Sequence, residues 1–169
     1  MEGVDIPPGA TEADAGDGAV FDRASAMPGH LLRRCQQIAV SLFLTECRAF
    51  DLTPLQFTVL ATLSQMGPQD QASICGYAAL DRTTVGVVVK KLEARGLVRR
   101  EVSAKDRRSK PISITAAGAN LLKAAMPAVE EAQARMLGPL SATEQERFLR
   151  YLRKMADGNN SESRAPMRG

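Results

Sequence analysis

The sequence has no tryptophan, a single histidine, and only 4% aromatic residues. A lone His30, with no glycine-rich phosphate loop and no nucleophile motif, leaves little from which to build an active centre, so the chain is not expected to be an enzyme. There are three cysteines. Cys35, Cys47 and Cys75 lack metal-ligand spacing and are odd in number, which argues against a zinc site and against a disulfide framework. No metal and no cofactor are expected. No apolar run reaches membrane-spanning length, and the start lacks the basic head and apolar middle of a signal peptide. The expectation is a soluble, cytoplasmic protein with no membrane partner. With so few aromatics, the core must be built from Leu, Val, Ala and Ile, and abundant Ala and Leu favour helix over sheet.

The net charge of +3 conceals an asymmetry. Residues 1–27 carry six acids and one base. Residues 82–110 carry ten bases (Arg82, Lys90, Lys91, Arg95, Arg99, Arg100, Lys105, Arg107, Arg108, Lys110) against three acids (Glu93, Glu101, Asp106). A local excess of this size points to a surface that binds a polyanion; a solvated basic face is the plainer explanation.

Along the chain, residues 1–27 read as a disordered arm, poor in large apolar groups. A helical pattern starts at Pro28. Leu31, Cys35, Ile38 and Leu42 form one apolar stripe, and Leu32, Ala39 and Phe43 a second beside it. So broad a face suits a helix wedged between its own domain and a partner chain. "LTPLQFTVLATLSQMG" opens on a capping box, with Thr53 at the N-cap, Pro54 in the first turn and Gln56 closing the box. Gly67-Pro68 ends it. Asp70 caps a short helix over "QASICGYAAL". Asp81 caps the next, "RTTVGVVVKKLEA", which Gly96 stops. Val85, Val88 or Val89, and Leu92 give this helix a core face, and Arg82, Thr83, Thr84, Val87, Lys90 and Lys91 an outer one.

"LVRREV" and "PISIT" read as two short strands of a hairpin around the charged loop "DRRSKP". Ile112 and Ile114 alternate with Ser113, and Pro111 suits an edge position. Thr115 caps a long helix in which Pro127 predicts a kink near Met126. Gly138-Pro139 ends it. Ser141 and Glu144 form a second capping box for a last helix carrying Phe148, Leu149, Leu152 and Met155 on its apolar side. Residues 157–169 read as a frayed tail.

Helix, tight turn, basic-faced helix and basic hairpin together describe a winged helix-turn-helix. The fold class is mainly α, with a small β-hairpin wing. Residues 51–115 form the DNA-binding lobe, flanked by helices over 28–50 and 116–156. The helix from Asp81 would enter the major groove of double-stranded DNA. Arg82, Thr83 and Thr84 would stand near bases or phosphates, and Lys90 and Lys91 near phosphates. The hairpin loop, with Arg107, Arg108 and Lys110, would lie by a minor groove. On the first helix, His30, Arg34 and Gln37 form a polar line beside Arg33. These could recognise a carboxylate, because arginine pairs with one bidentately, or they could form salt bridges between helices or subunits. Phe57, with Phe43 and Phe50, could wall an aromatic ligand or simply pack in the core.

"LTPLQFTVL", "LDRTTVGVVVKKLEARGLVRR" and "DRRSKPISITAAG" resemble the MarR-type transcriptional regulators over about residues 28–156. Asp106-x-Arg108 followed by Thr115 matches that family's wing signature in spacing. The resemblance implies a homodimer in which residues 28–50 and 116–156 are intertwined dimerisation helices at both ends, and an effector pocket between those helices and the DNA-binding lobe. It implies that Asp106 braces the wing and that Arg108 reaches the minor groove, with Arg107 as the other candidate. It also implies, together with the arginine-rich first helix, an aromatic carboxylate or its coenzyme A thioester as effector. The expected function is a ligand-responsive regulator, with repression the expected mode, released from a pseudo-palindromic operator. Two alternatives stand beside it. One is a redox sensor using Cys35, although that residue falls in the apolar stripe. The other is an architectural DNA-binding protein with no effector.

Overall fold

A computed structural model describes residues 20–100 and 111–168. Its elements in chain order are α1 (Pro28–Glu46), a 3-10 turn (Arg48–Phe50), α2 (Pro54–Met66), α3 (Gln71–Ala78), α4 (Arg82–Ala94), β1 (Val98–Arg100), β2 (Ile112–Ile114), α5 (Ala116–Leu137), α6 (Ala142–Gly158) and a final 3-10 turn (Asn160–Glu162). The chain divides into two compact units, residues 1–38 and 39–169, and α1 passes from the first into the second. Residues 20–25, inside the stretch expected to be an arm, are helical. Residues 1–19 of that arm lie outside the described residues.

Helices α2 to α6 each begin at a side-chain cap. At α2 the Gln56 N–H donates to Thr53 Oγ1 (3.3 Å) and the Thr53 N–H to Gln56 Oε1 (2.9 Å). The Gly118 N–H donates to Thr115 Oγ1 at α5 (3.1 Å). At α6 the Ser141 N–H donates to Glu144 Oε2 (2.8 Å), closing the second box. The stop of α4 is a Schellman motif: the Leu97 N–H reaches Leu92 O (3.0 Å), the Gly96 N–H reaches Glu93 O (2.9 Å), and Gly96 has φ 68°. The helix α5 continues through Pro127.

The core of residues 39–169 joins Val59, Leu60 and Leu63 of α2, Ile74 of α3, Val85, Val88, Val89 and Leu92 of α4, Ile112 of β2, and Leu122, Ala125 and Val129 of α5. Here α4 is instructive. Four valines and a glycine together cost about 3 kcal/mol of helix propensity relative to alanine. Three of those valines are buried, each contributing about 1.5 kcal/mol or more on leaving water, so packing outweighs propensity. Phe43 of α1 and Cys47, just after its end, join this core, and Arg135 of α5 forms an ion pair with Glu46.

The wing strands pair antiparallel, with Val98 opposite Ile114 and Arg100 opposite Ile112. Ile112 also exchanges two backbone hydrogen bonds with Gln69 (2.8 and 3.0 Å). Thus β2 lies between two neighbours rather than on an edge. Against the expected alternation, Ser113 is buried along with Ile112, while Ile114 is only half-buried. The Arg99 Nε–H points at Ser113 Oγ (3.4 Å).

The tail departs further from expectation. Rather than fraying after α6, residues 160–168 fold back on α3. The Asn160 Nδ2–H donates to Met167 O (2.9 Å) and the Met167 N–H to Asn160 Oδ1 (2.8 Å), closing a loop; the Arg168 N–H then donates to Gly76 O (2.9 Å). Among the described residues no helix is long and apolar enough to cross a membrane.

Candidate nucleic-acid interface

The helix-turn-helix is built from two aspartate caps and one left-handed residue. Asp70 accepts from the Ser73 N–H (2.7 Å) at the start of α3. Ala79 ends α3 with φ 51°, turning the chain sharply, and the Leu80 N–H returns to Cys75 O (3.1 Å). Asp81 accepts from the Thr84 N–H (2.9 Å) and starts α4. A further bond locks the two helices together: the Gln71 Nε2–H donates to Arg82 O (2.9 Å). The absence of a Cβ at Gly86 leaves room for it, since a Cβ there would stand 3.2 Å from Gln71 Nε2. Gln71 was not singled out from sequence, because its partner lies eleven residues away and no local pattern marks it.

On α4, Val85, Val88, Val89 and Leu92 are buried, while Arg82, Thr83, Val87, Lys90 and Lys91 are exposed. Among the described residues no carboxylate comes within ion-pair distance of Arg82, Lys90 or Lys91. Thr84 is different. It is half-buried, and its hydroxyl donates to Asp81 Oδ2 (2.6 Å). A threonine has one hydroxyl proton, so as a donor the Thr84 hydroxyl is committed to its own helix cap.

Other bases of the charged stretch are used within the lobe. Arg95 donates to the Phe50 carbonyl (3.2 Å) and that of Asp51, whose carboxylate lies 3.7 Å away. Arg100 pairs with Glu93 (3.4 Å). The wing residues Asp106, Arg107, Arg108 and Lys110 lie outside the described residues. Of the expected effector residues, His30, Arg33, Arg34 and Gln37 fall in the unit of residues 1–38, where the Arg33 Nη1–H donates to Gln37 Oε1 (3.1 Å). Phe57 falls in the other unit, half-buried with its ring edge-on to Phe43 at 5.9 Å. Cys35 is half-buried. Burial, and then Glu46, push the Cys47 thiol up, and burial, and then Asp81, do the same for Cys75.

Both cap carboxylates are held below the ordinary carboxylate range, Asp70 by the Ser73 backbone N–H and Asp81 by the Thr84 hydroxyl and N–H. A depressed folded pKa means stability present above the unfolded value and lost as pH falls through the folded one. Melting temperature is therefore expected to drop as pH falls below about 3.9, the unperturbed aspartate value. Asparagine caps helices well but does not titrate. A D70N/D81N variant should fold and show a flatter acid limb; an unchanged limb would remove the caps from the explanation.

A family model described as "MarR family" matches residues 52–110, the span from the α2 cap through the wing. The HTH-type transcriptional repressor NicR of Pseudomonas putida is 35% identical over 133 residues, covering 79% of this chain and 84% of NicR. The chain belongs to the MarR family. As a member, it is a winged-helix, DNA-binding transcriptional regulator. This MarR-family chain is also similar to the solved structure of Bordetella bronchiseptica BpsR, described with regulation of its DNA binding by 6-hydroxynicotinic acid (TM-score 0.74, 32% identity, 79% of this chain and 95% of that one). It is similar as well to the repressor CouR bound to a 23-mer DNA duplex (TM-score 0.73, 29% identity, 79% and 94%).

Proposed function

We propose that the protein is a homodimeric repressor that leaves a pseudo-palindromic operator when an aromatic carboxylate, or its coenzyme A thioester, binds. The observation that carries the DNA half is the two-sided α4: one face in the core, the other presenting Arg82, Thr83, Lys90 and Lys91 without a described counter-charge. In this reading α4 lies in the major groove, with Arg82 and Thr83 near base edges and Lys90 and Lys91 near phosphates. Asp106 braces the wing, Arg108 or Arg107 enters the minor groove, and Lys110 attracts phosphate. Dimerisation is supported by apolar side chains left exposed on the terminal helices: Leu31, Leu32, Ile38 and Leu44 of α1, and Leu149 and Met155 of α6. The effector class is supported by the arginines of α1 and by the ligand of BpsR. Release requires that the ligand bind the non-operator geometry more tightly than the operator-bound one.

The test uses an operator recovered by selection from a random duplex pool. Light scattering at micromolar concentration is expected to give a dimer. Anisotropy is expected to show operator preferred over random duplex, and release by 6-hydroxynicotinic acid or another aromatic acid of a small panel. No preference and no release would support the architectural alternative instead. Release by peroxide, reversed by a thiol reductant and lost in C35S, would support redox sensing.

A further inference from the structure

The docked tail gives the helix-turn-helix a third basic element. Helix α3 ends after only eight residues, and carbonyls in its last turn have no intrahelical partner. Cys75 O is taken by the turn, and Gly76 O receives the Arg168 N–H. Gly76 is an otherwise costly choice inside a helix, by about 1 kcal/mol. The seated tail uses the space left by the missing Cβ: a Cβ there would stand 2.6 Å from Arg168 Cδ and 2.7 Å from Cγ, so the arginine stem would have to shift. The stem of Arg168 thus lies on α3, and Arg164 borders the same cleft as Asp81 and Arg82. Arg164 and Arg168 are both exposed, and among the described residues no carboxylate lies within ion-pair distance of either.

The charge of this edge depends on the tail. Asp70 and Asp81 cap the two helices that face DNA in the reading above, and a carboxylate there repels phosphate. The hydrogen bonds from Thr84 and Ser73 do most to lower the two carboxylates' pKa values, and the charges of Arg164 on Asp81 and Arg168 on Asp70 lower them further. With the tail seated, Arg164 shares the cleft of Asp81, and Arg168 lies on α3, the helix that Asp70 caps.

We infer that the C-terminal tail is a DNA-contacting strap, in which Arg164 and Arg168 bind backbone phosphates flanking the site read by α4. This rests on α4 being the DNA-reading helix. Phosphate contacts carry no sequence information, so the strap adds affinity for any duplex.

The experiment compares full-length wild type, R164A/R168A and R82A, each on operator and on random duplex over a salt series. For R164A/R168A, affinity should fall about equally on both duplexes, by roughly tenfold at low salt. The slope of log affinity against log salt should shrink by about one to two, as expected for one or two lost phosphate contacts. Unchanged affinity and slope would overturn the strap, and so would a rise in affinity, which would make the tail a cover over the DNA face. R82A separates the strap from its premise: if R82A loses operator preference while the tail variant changes nothing, the strap alone is wrong. If neither variant alters binding to either duplex, the placement of DNA on this face is wrong and the strap falls with it. Hydrogen exchange of free full-length protein should find the Arg168 amide protected; exchange at the free-peptide rate would overturn the seated tail.

Discussion

Replacing Arg82 by alanine is expected to lower operator affinity by about 1–3 kcal/mol, roughly 5- to 150-fold, and to relax sequence preference. Arg82 is the first residue of α4, the position of a recognition helix that meets base edges first. Its backbone is held on two sides, by the Asp81 cap before it and by Gln71 on its own carbonyl. The side chain therefore leaves a fixed point, exposed and without a described carboxylate partner. Arginine is also the residue best fitted to pair bidentately with a guanine edge. The loss should be larger on operator than on random duplex, because a base contact discriminates and a phosphate contact does not. Equal losses on both would assign Arg82 to phosphate.

Gly118→Ala is expected to destabilise the fold by about 2–3 kcal/mol, although alanine is the better helix former by about 1 kcal/mol. A Cβ at Gly118 would stand 2.1 Å from Leu97 O and 2.9 Å from Ile114 Cγ1. The first contact is with backbone, which cannot rotate aside. That carbonyl is also engaged, accepting from the Thr115 N–H (3.0 Å), while Thr115 Oγ1 donates to Gly96 O (2.7 Å). The glycine is where the start of α5 closes on the entry to the wing, and both sides are pinned. In urea the midpoint should fall with the slope unchanged. A midpoint at or above that of wild type would mean the junction can open, and the wing would then be less rigidly held than its hydrogen bonds indicate.

Residue order alone was enough to place the caps at Thr53, Asp70, Asp81, Thr115 and Ser141, the stop at Gly96, the paired strands, and the two faces of α4. Apart from the strand pairing, which joins Val98 to Ile114 and Arg100 to Ile112 across a hairpin, these are contacts between residues three to five apart, or periodicities along one helix, so the local pattern carries them. The roles of the charged stretch were not legible in this way. Its ten bases look alike in the sequence. Arg95 turned out to clasp the Phe50–Asp51 turn, 44 residues away, and Arg100 pairs with Glu93. The Thr84 hydroxyl proton is taken by Asp81, its own helix cap. Nothing local marks Gly76 or Gly118, and only their distant neighbours, Arg168 and Leu97, show what occupies the space each leaves. Polar composition made the tail look frayed, because no local pattern records an orphan carbonyl on α3 waiting for the Arg168 N–H. The sequence by itself determined where elements begin, end and face, since those depend on near neighbours. Which charges are taken up within the lobe, and where a missing Cβ makes room for a neighbour, were decided by the tertiary structure, which alone brings distant residues into contact.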